Sequence, residues 1–193
     1  MKYSPTCIEA FSGPGGLGLG LHQAGFEILA AFDADRFAVE TYRRNLSPRC
    51  FQKKAEDLTG GALLELAKLA KGELDLLAGG PPCQGFSKQK RGAHNGDDRN
   101  SLIMEFARLT QEILPKFLYW KMSRYLRKKL GVSLLSQLSD LLIPCGYRFS
   151  PQFYNSADFG LPQTRKRFIL VGQRNDFKSG HNDIASNHRR PMS

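Results

Sequence analysis

The chain has 193 residues, 41% hydrophobic and 24% charged, with a formal net charge of +10. That balance suits one globular domain with a sizeable core, and no stretch approaches the ~20 consecutive apolar residues of a membrane helix. Cys7, Cys50, Cys83 and Cys145 stand 43, 33 and 62 residues apart, which excludes a CxxC metal or redox pair and leaves reduced thiols as the expectation for a cytoplasmic chain.

In chain order, short apolar runs alternate with helical patterns. Residues 6–11 read as a buried strand, 17–24 as a helix, 27–32 as a second strand and 35–45 as a second helix. Leucines at 63, 64, 66 and 69 mark an amphipathic helix over 63–70, and 74–78 form a strand that runs into Gly79-Gly80-Pro81-Pro82. A helix over 102–114, a strand over 117–120, a helix over 134–143 and strands over 147–154 and 167–172 complete the series. Repeated β–α–β units predict an α/β, Rossmann-like fold, a mostly parallel sheet of about seven strands with helices on both faces. Residues 1–172 form the expected domain, and 173–193, poor in apolar positions, read as a polar disordered tail. Residues 1–6 hold no apolar run of the secretory kind.

Charge is unevenly placed. Residues 1–115 carry 14 basic and 14 acidic residues, whereas 116–193 carry 14 basic residues against only Asp140, Asp158, Asp176 and Asp183. A basic second half suits a polyanionic partner through counterion release, and a solvated basic face is the competing reading. The cluster from Arg124 to Lys129 reads as such a face, and His22, His94, His181 and His188 lack ligand spacing, so no metal is expected.

Ligands on parallel sheets bind where strands end at their carboxyl edge. After the first strand comes Phe11-Ser12-Gly13-Pro14-Gly15-Gly16-Leu17-Gly18, a G-x-G-x-x-G loop whose glycines allow a tight turn and close approach of a ligand to the backbone. Asp33 follows the second strand, 20 residues past Gly13, where an acid can bind ribose hydroxyls. An adenosine-containing cofactor fits, and a nicotinamide dinucleotide fits as well. Further on, Pro81-Pro82-Cys83-Gln84 places a thiol in a proline-stiffened turn at the same edge, poorly placed for packing and well placed as a nucleophile.

At this point the sequence resembles the cytosine-5 DNA methyltransferases. Phe11-Ser12-Gly13-Pro14-Gly15-Gly16 is similar to their first motif and Pro81-Pro82-Cys83-Gln84 to their catalytic one. The run Asn155-Ser156-Ala157-Asp158-Phe159-Gly160-Leu161-Pro162-Gln163-Thr164-Arg165-Lys166-Arg167 is similar to their Gln-x-Arg-x-Arg motif. The resemblance implies a methyltransferase fold dependent on S-adenosylmethionine, acting on double-stranded DNA. It makes Cys83 the nucleophile that adds to carbon 6 of a flipped cytosine and Arg165 a group that polarises the base. It gives the cofactor to Phe11 (stacking on adenine), Gly13, Gly15, Gly16, Asp33 (ribose), Asp57 (adenine amino group) and Pro82. The polar run of residues 88–99 resembles the loop that closes over DNA in that family.

Two departures stand out. Where the family has Glu-Asn-Val at the end of a strand, this chain has Lys121-Met122-Ser123, and a lysine offers donors where cytosine N4 also offers a donor. The target-recognition part and final helix of the family are also missing, so a complementary C-terminal chain is an expected partner. The leading reading is a truncated or split DNA (cytosine-5)-methyltransferase. The alternatives are a catalytically inactive cofactor- or nucleic-acid-binding remnant and a tRNA cytosine-5 methyltransferase.

Overall fold

The computed structural model describes residues 3–82, 101–123 and 129–177. Cys83, the run 88–99, the basic residues 124–128 and the segment 178–193 lie outside the described residues. The elements in order are β1 (Thr6–Ala10), α1 (Gly16–Gln23), β2 (Glu27–Asp33), α2 (Arg36–Asn45), β3 (Cys50–Gln52), α3 (Gly60–Ala67) and β4 (Leu76–Gly79). They continue with α4 (Ser101–Ile113), β5 (Phe117–Ser123), α5 (Lys129–Leu142), β6 (Tyr147–Asn155) and β7 (Lys166–Arg174).

The strands form one seven-stranded sheet in the order β3-β2-β1-β4-β5-β7-β6. The pairs from β3 to β5 are parallel, and β7 joins β5 and β6 antiparallel. The expected mostly parallel sheet is thus present. Its central strands are apolar on both faces because helices cover both: in β1 and β4, Cys7, Ile8, Ala10, Leu76, Leu77 and Ala78 are all buried.

α3, α4 and α5 pack on one face, where Leu63, Phe106, Leu109 and Leu138 meet Ile8, Leu77, Leu118 and Trp120. On the opposite face α1 packs against Cys7, Leu76 and Ala78 through Leu21, and α2 against Ala31 and Cys50 through Val39 and Tyr42. Among the described residues, no helix packs on that second face over the antiparallel half. Phe168 and Leu170 of β7 are buried on the first face, while Ile169 and Val171 on the second are only half-buried.

Three features differ from the sequence reading. The short strand β3 was not expected, since Cys50-Phe51-Gln52 is too brief for a period-2 signal. Helix α3 starts at Gly60, not at residue 63, because the Thr59 side chain caps it by accepting from the Ala62 N–H at 3.1 Å. Strand β7 runs to Arg174, so the expected boundary after residue 172 falls inside a strand; Arg174 donates to Gly72 and Leu114 carbonyls.

At the amino edge, buried Asp75 ties several segments together. It accepts from the Thr6 N–H (2.7 Å) and hydroxyl (2.9 Å), the Tyr3 hydroxyl (2.6 Å) and the Lys116 ammonium (2.7 Å). Burial alone would push its carboxyl up; Lys116 and these hydrogen bonds outweigh that and hold it below the usual carboxylate range. A depressed carboxyl contributes stability at neutral pH that is lost as pH falls below the unfolded value. Asp75→Ala is expected to cost about 3 kcal/mol, since it leaves Lys116 half-buried and unpaired. Urea denaturation at pH 7 measures this, and the gap between wild type and variant should narrow towards pH 3.

Candidate active site

Register brings the candidate residues together. Ala10 of β1 pairs with Phe32 of β2 and with Gly79 of β4, and Gly79 pairs with Trp120 of β5. The next residue of each strand or loop therefore forms a row across the carboxyl edge: Asp33, Phe11, Gly80 and Lys121. The glycine loop, Asp33 and the loop that follows Gly79 therefore leave the sheet side by side.

The loop after β1 is shaped by backbone conformations that favour glycine. Gly13 and Gly15 have φ of +56° and +104°, and even Phe11 is left-handed at +53°. A Cβ on Gly15 would stand 2.4 Å from Leu46 Cδ1, so any other residue there would be strained and clash. Cβ atoms on Gly13 and Gly16 would meet nothing within 4 Å: the loop opens on free space, with the α1 N-terminus behind it. The N-cap residue Gly15 supplies no side-chain acceptor and the first turn of α1 holds no acid, so apart from the Gly18 N–H, which faces Glu9, amide donors are available to a ligand. These features fit an adenosylated cofactor lying against the loop. Phe11 packs on Phe32 with ring centroids 5.8 Å apart. Asp33 braces the loop directly, accepting from the Gly13 N–H at 2.8 Å and the Asp35 N–H at 2.9 Å.

Asp57 ends a 3-10 turn, Ala55–Asp57, and is exposed. Pro82 is exposed beyond buried Pro81. Arg165 is exposed in the connection to β7, its N–H donating to Asn155 Oδ1 at 3.0 Å and its carbonyl accepting from the Ser156 N–H at 3.1 Å. Lys121 reaches back over the loop after β4, so that a Cβ on Gly80 would lie 3.0 Å from its Cε and 3.2 Å from its Nζ. Partial burial lowers the Lys121 pKa; Arg167 and Arg165 add to this and Glu9 opposes it.

Glu9 escaped the sequence reading. It is fully buried in β1, beneath the glycine loop. The Tyr42 hydroxyl donates to its Oε2 at 2.8 Å and the Gly18 N–H also donates to its carboxylate, while Oε1 has no partner among the described residues. Gly18 has no room for a Cβ, which would sit 2.5 Å from Glu9 Oε2. The signal was present: a lone acid inside the apolar run Thr6-Cys7-Ile8-Glu9-Ala10 has to be neutralised or used.

The strand order, the glycine loop and the acid after β2 define a Rossmann-like methyltransferase fold. A crystal structure of a prophage-encoded protein of E. coli, assigned to DNA modification methyltransferases, shares it with a TM-score of 0.77 and 30% identity, covering 90% of this chain and 47% of that one. The chain matches the C-5 cytosine-specific DNA methylase family over residues 5–192 and belongs to it. Type II methyltransferase M.XorII of Xanthomonas oryzae pv. oryzae is 35% identical over 174 residues, which cover 88% of this chain and 41% of that protein. Type II methyltransferase M.AquIA of Picosynechococcus sp. is 34% identical over 176 residues, covering 86% of this chain and 71% of that one.

Burial pushes the Glu9 carboxyl from its ordinary 4.5 up to about 7, partly offset by Tyr42, Gly18 and Lys121. Between those values the folded chain holds a proton that the unfolded chain releases, so this group's contribution to stability falls as pH rises through the window. The penalty above pH 7 is roughly 3 kcal/mol at 1.36 kcal/mol per unit. Glu9→Gln keeps an acceptor for Tyr42 without the charge. It is expected to raise stability at pH 8 by about 1–3 kcal/mol and to leave it little changed at pH 5. Urea titrations at the two pH values check this; an equal effect at both would show that the carboxyl is not held neutral.

Proposed function

We propose that this chain is the cofactor- and cysteine-bearing part of a DNA (cytosine-5)-methyltransferase, working in the cytoplasm on double-stranded DNA. The observation that carries the reading is the row Asp33, Phe11, Gly80 and Lys121 at one sheet edge, beside a glycine loop that opens on free space. Phe11, Gly13, Gly15, Gly16, Asp33, Asp57 and Pro82 would hold S-adenosylmethionine, which supplies an electrophilic methyl group when bound.

Carbon 5 of cytosine is a poor nucleophile, and Cys83 remedies that. Its thiolate forms a bond to carbon 6 of a base flipped from the duplex, which makes carbon 5 enamine-like. After alkylation at carbon 5, the proton there passes to a base, the S–C6 bond breaks, and both ring and thiolate are restored. Arg165 polarises the base during addition. Methylation and the basic second half both call for DNA as the partner.

A complementary C-terminal chain would supply target recognition. The chain spans 41% of the length of M.XorII, and Ile169 and Val171 are half-buried on a face where the described helices pack only at the other end. A second reading, an inactive remnant that still binds cofactor or nucleic acid, is favoured by Lys121. On this reading Lys121 takes the place of the family's glutamate, and its ammonium would meet the cytosine N4 amino group with a second donor.

Alone, the chain is expected to bind S-adenosylmethionine more weakly than about 10 μM by calorimetry, because residues that would hold it, Asp57 and Pro82 among them, are exposed and ordering such groups on binding costs free energy. It should also transfer little tritiated methyl to mixed-sequence DNA. Co-expression with the C-terminal part of a full-length relative should restore transfer in part, and Lys121→Glu with Met122→Asn should raise it by about 10²-fold more. Robust transfer by the wild-type chain alone, abolished by Cys83→Ser, would show that Lys121 is tolerated and overturn the remnant reading.

A further inference from the structure

Arg108 lies on α4, away from every motif residue, yet its guanidinium grips the turn that carries Asp57. Nη2 donates to the Ala55 carbonyl at 3.0 Å and the Leu58 carbonyl at 2.8 Å, one on each side of Asp57. The rest of the fork is fixed from its own helix: Nε donates to Glu105 Oε2 at 2.9 Å and Nη1 to Glu112 Oε1 at 2.7 Å, and Nη2 shares a hydrogen with the same Glu105 oxygen, 2.6 Å away. Residues 105, 108 and 112 fall on one helix face by their spacing. Glu112 extends the grip, because its Oε2 accepts from the Gly60 N–H at 2.5 Å. Gly60 in turn sits so close that a Cβ there would be 2.5 Å from Glu112 Cβ. The turn is thus held at Ala55, Leu58 and Gly60, while the Asp57 residue between them is exposed.

We infer that Arg108 is a positioning residue for cofactor selection: by clamping the carbonyls on both sides of Asp57, it fixes that carboxylate where it can read the amino group of adenine. A planar guanidinium can bind two carbonyls and two carboxylates at once, which a lysine ammonium on a flexible stem cannot. A carboxylate on a loose exposed turn would contact an amino group only part of the time and discriminate weakly. The inference rests on the placement of the adenine at Asp57 proposed above.

The test compares S-adenosylhomocysteine with its inosine counterpart, in which an oxygen replaces the amino group, by calorimetry on the full chain at ligand concentrations up to millimolar. Wild type should prefer the adenosine form by about tenfold, as expected for a hydrogen bond to a charged acceptor. Asp57→Ala should erase the preference. Arg108→Lys should reduce it to about twofold or less, with circular dichroism confirming the fold, and Glu105→Gln should reduce it in the same direction by a smaller factor. If Asp57→Ala erases the preference but Arg108→Lys keeps it, or weakens both ligands equally, Arg108 is structural only and the inference is overturned. If wild type shows no preference and Asp57→Ala changes nothing, the adenine is not at Asp57, and the reading beneath the inference falls with it.

Discussion

Register is the constraint on which this site depends. In a parallel sheet the main-chain ladder decides which residues stand level, and a slip of one residue would send every side chain of that strand to the other face. Here the parallel ladders of β2, β1, β4 and β5 end level, so three connections that are remote in sequence leave the sheet beside Lys121 of β5. The opposite edge keeps them so: Asp75, just before β4, holds Thr6 at the start of β1 and Lys116 just before β5. One buried carboxylate at the amino edge therefore aligns the strands whose far ends bear the chemistry.

The charges at the carboxyl edge have a particular balance. Glu9, the buried acid of β1, is driven towards its neutral form, and Asp33 is occupied with loop amides. Against them stand Lys121, Arg165 and Arg167, close enough that the two arginines depress the Lys121 pKa. Such an edge suits a polyanion, and on the reading proposed above it would oppose the amino donor of a cytosine at Lys121. The same substitution that favours approach of the polyanion works against reading of the base, and the two proposed functions differ in which effect prevails.

Much of this was legible in the sequence, for physical reasons that also explain the misses. Long apolar runs gave the central strands, since a strand buried on both faces leaves a continuous signature. The glycine loop was legible because left-handed backbone at Gly13 and Gly15 demands that residue. β3 was too short to show a period. Glu9 with Tyr42, and Arg108 with Ala55 and Leu58, were invisible because their contacts join residues 33, 53 and 50 positions apart. Such pairings follow from tertiary packing and leave no local pattern.

The single tryptophan of the chain has a consequence of its own. Trp120 is buried in the middle of β5, stacked on Phe106 at 4.8 Å and paired in register with Gly79. Its indole Nε1 has no acceptor among the described residues. The molecule therefore carries one indole fluorophore, which can be excited apart from its six tyrosines, in an apolar setting next to the row of residues where ligands would meet. Its emission colour is sensitive to whether the indole finds a polar neighbour, so occupation of that edge can be followed optically without labelling the protein.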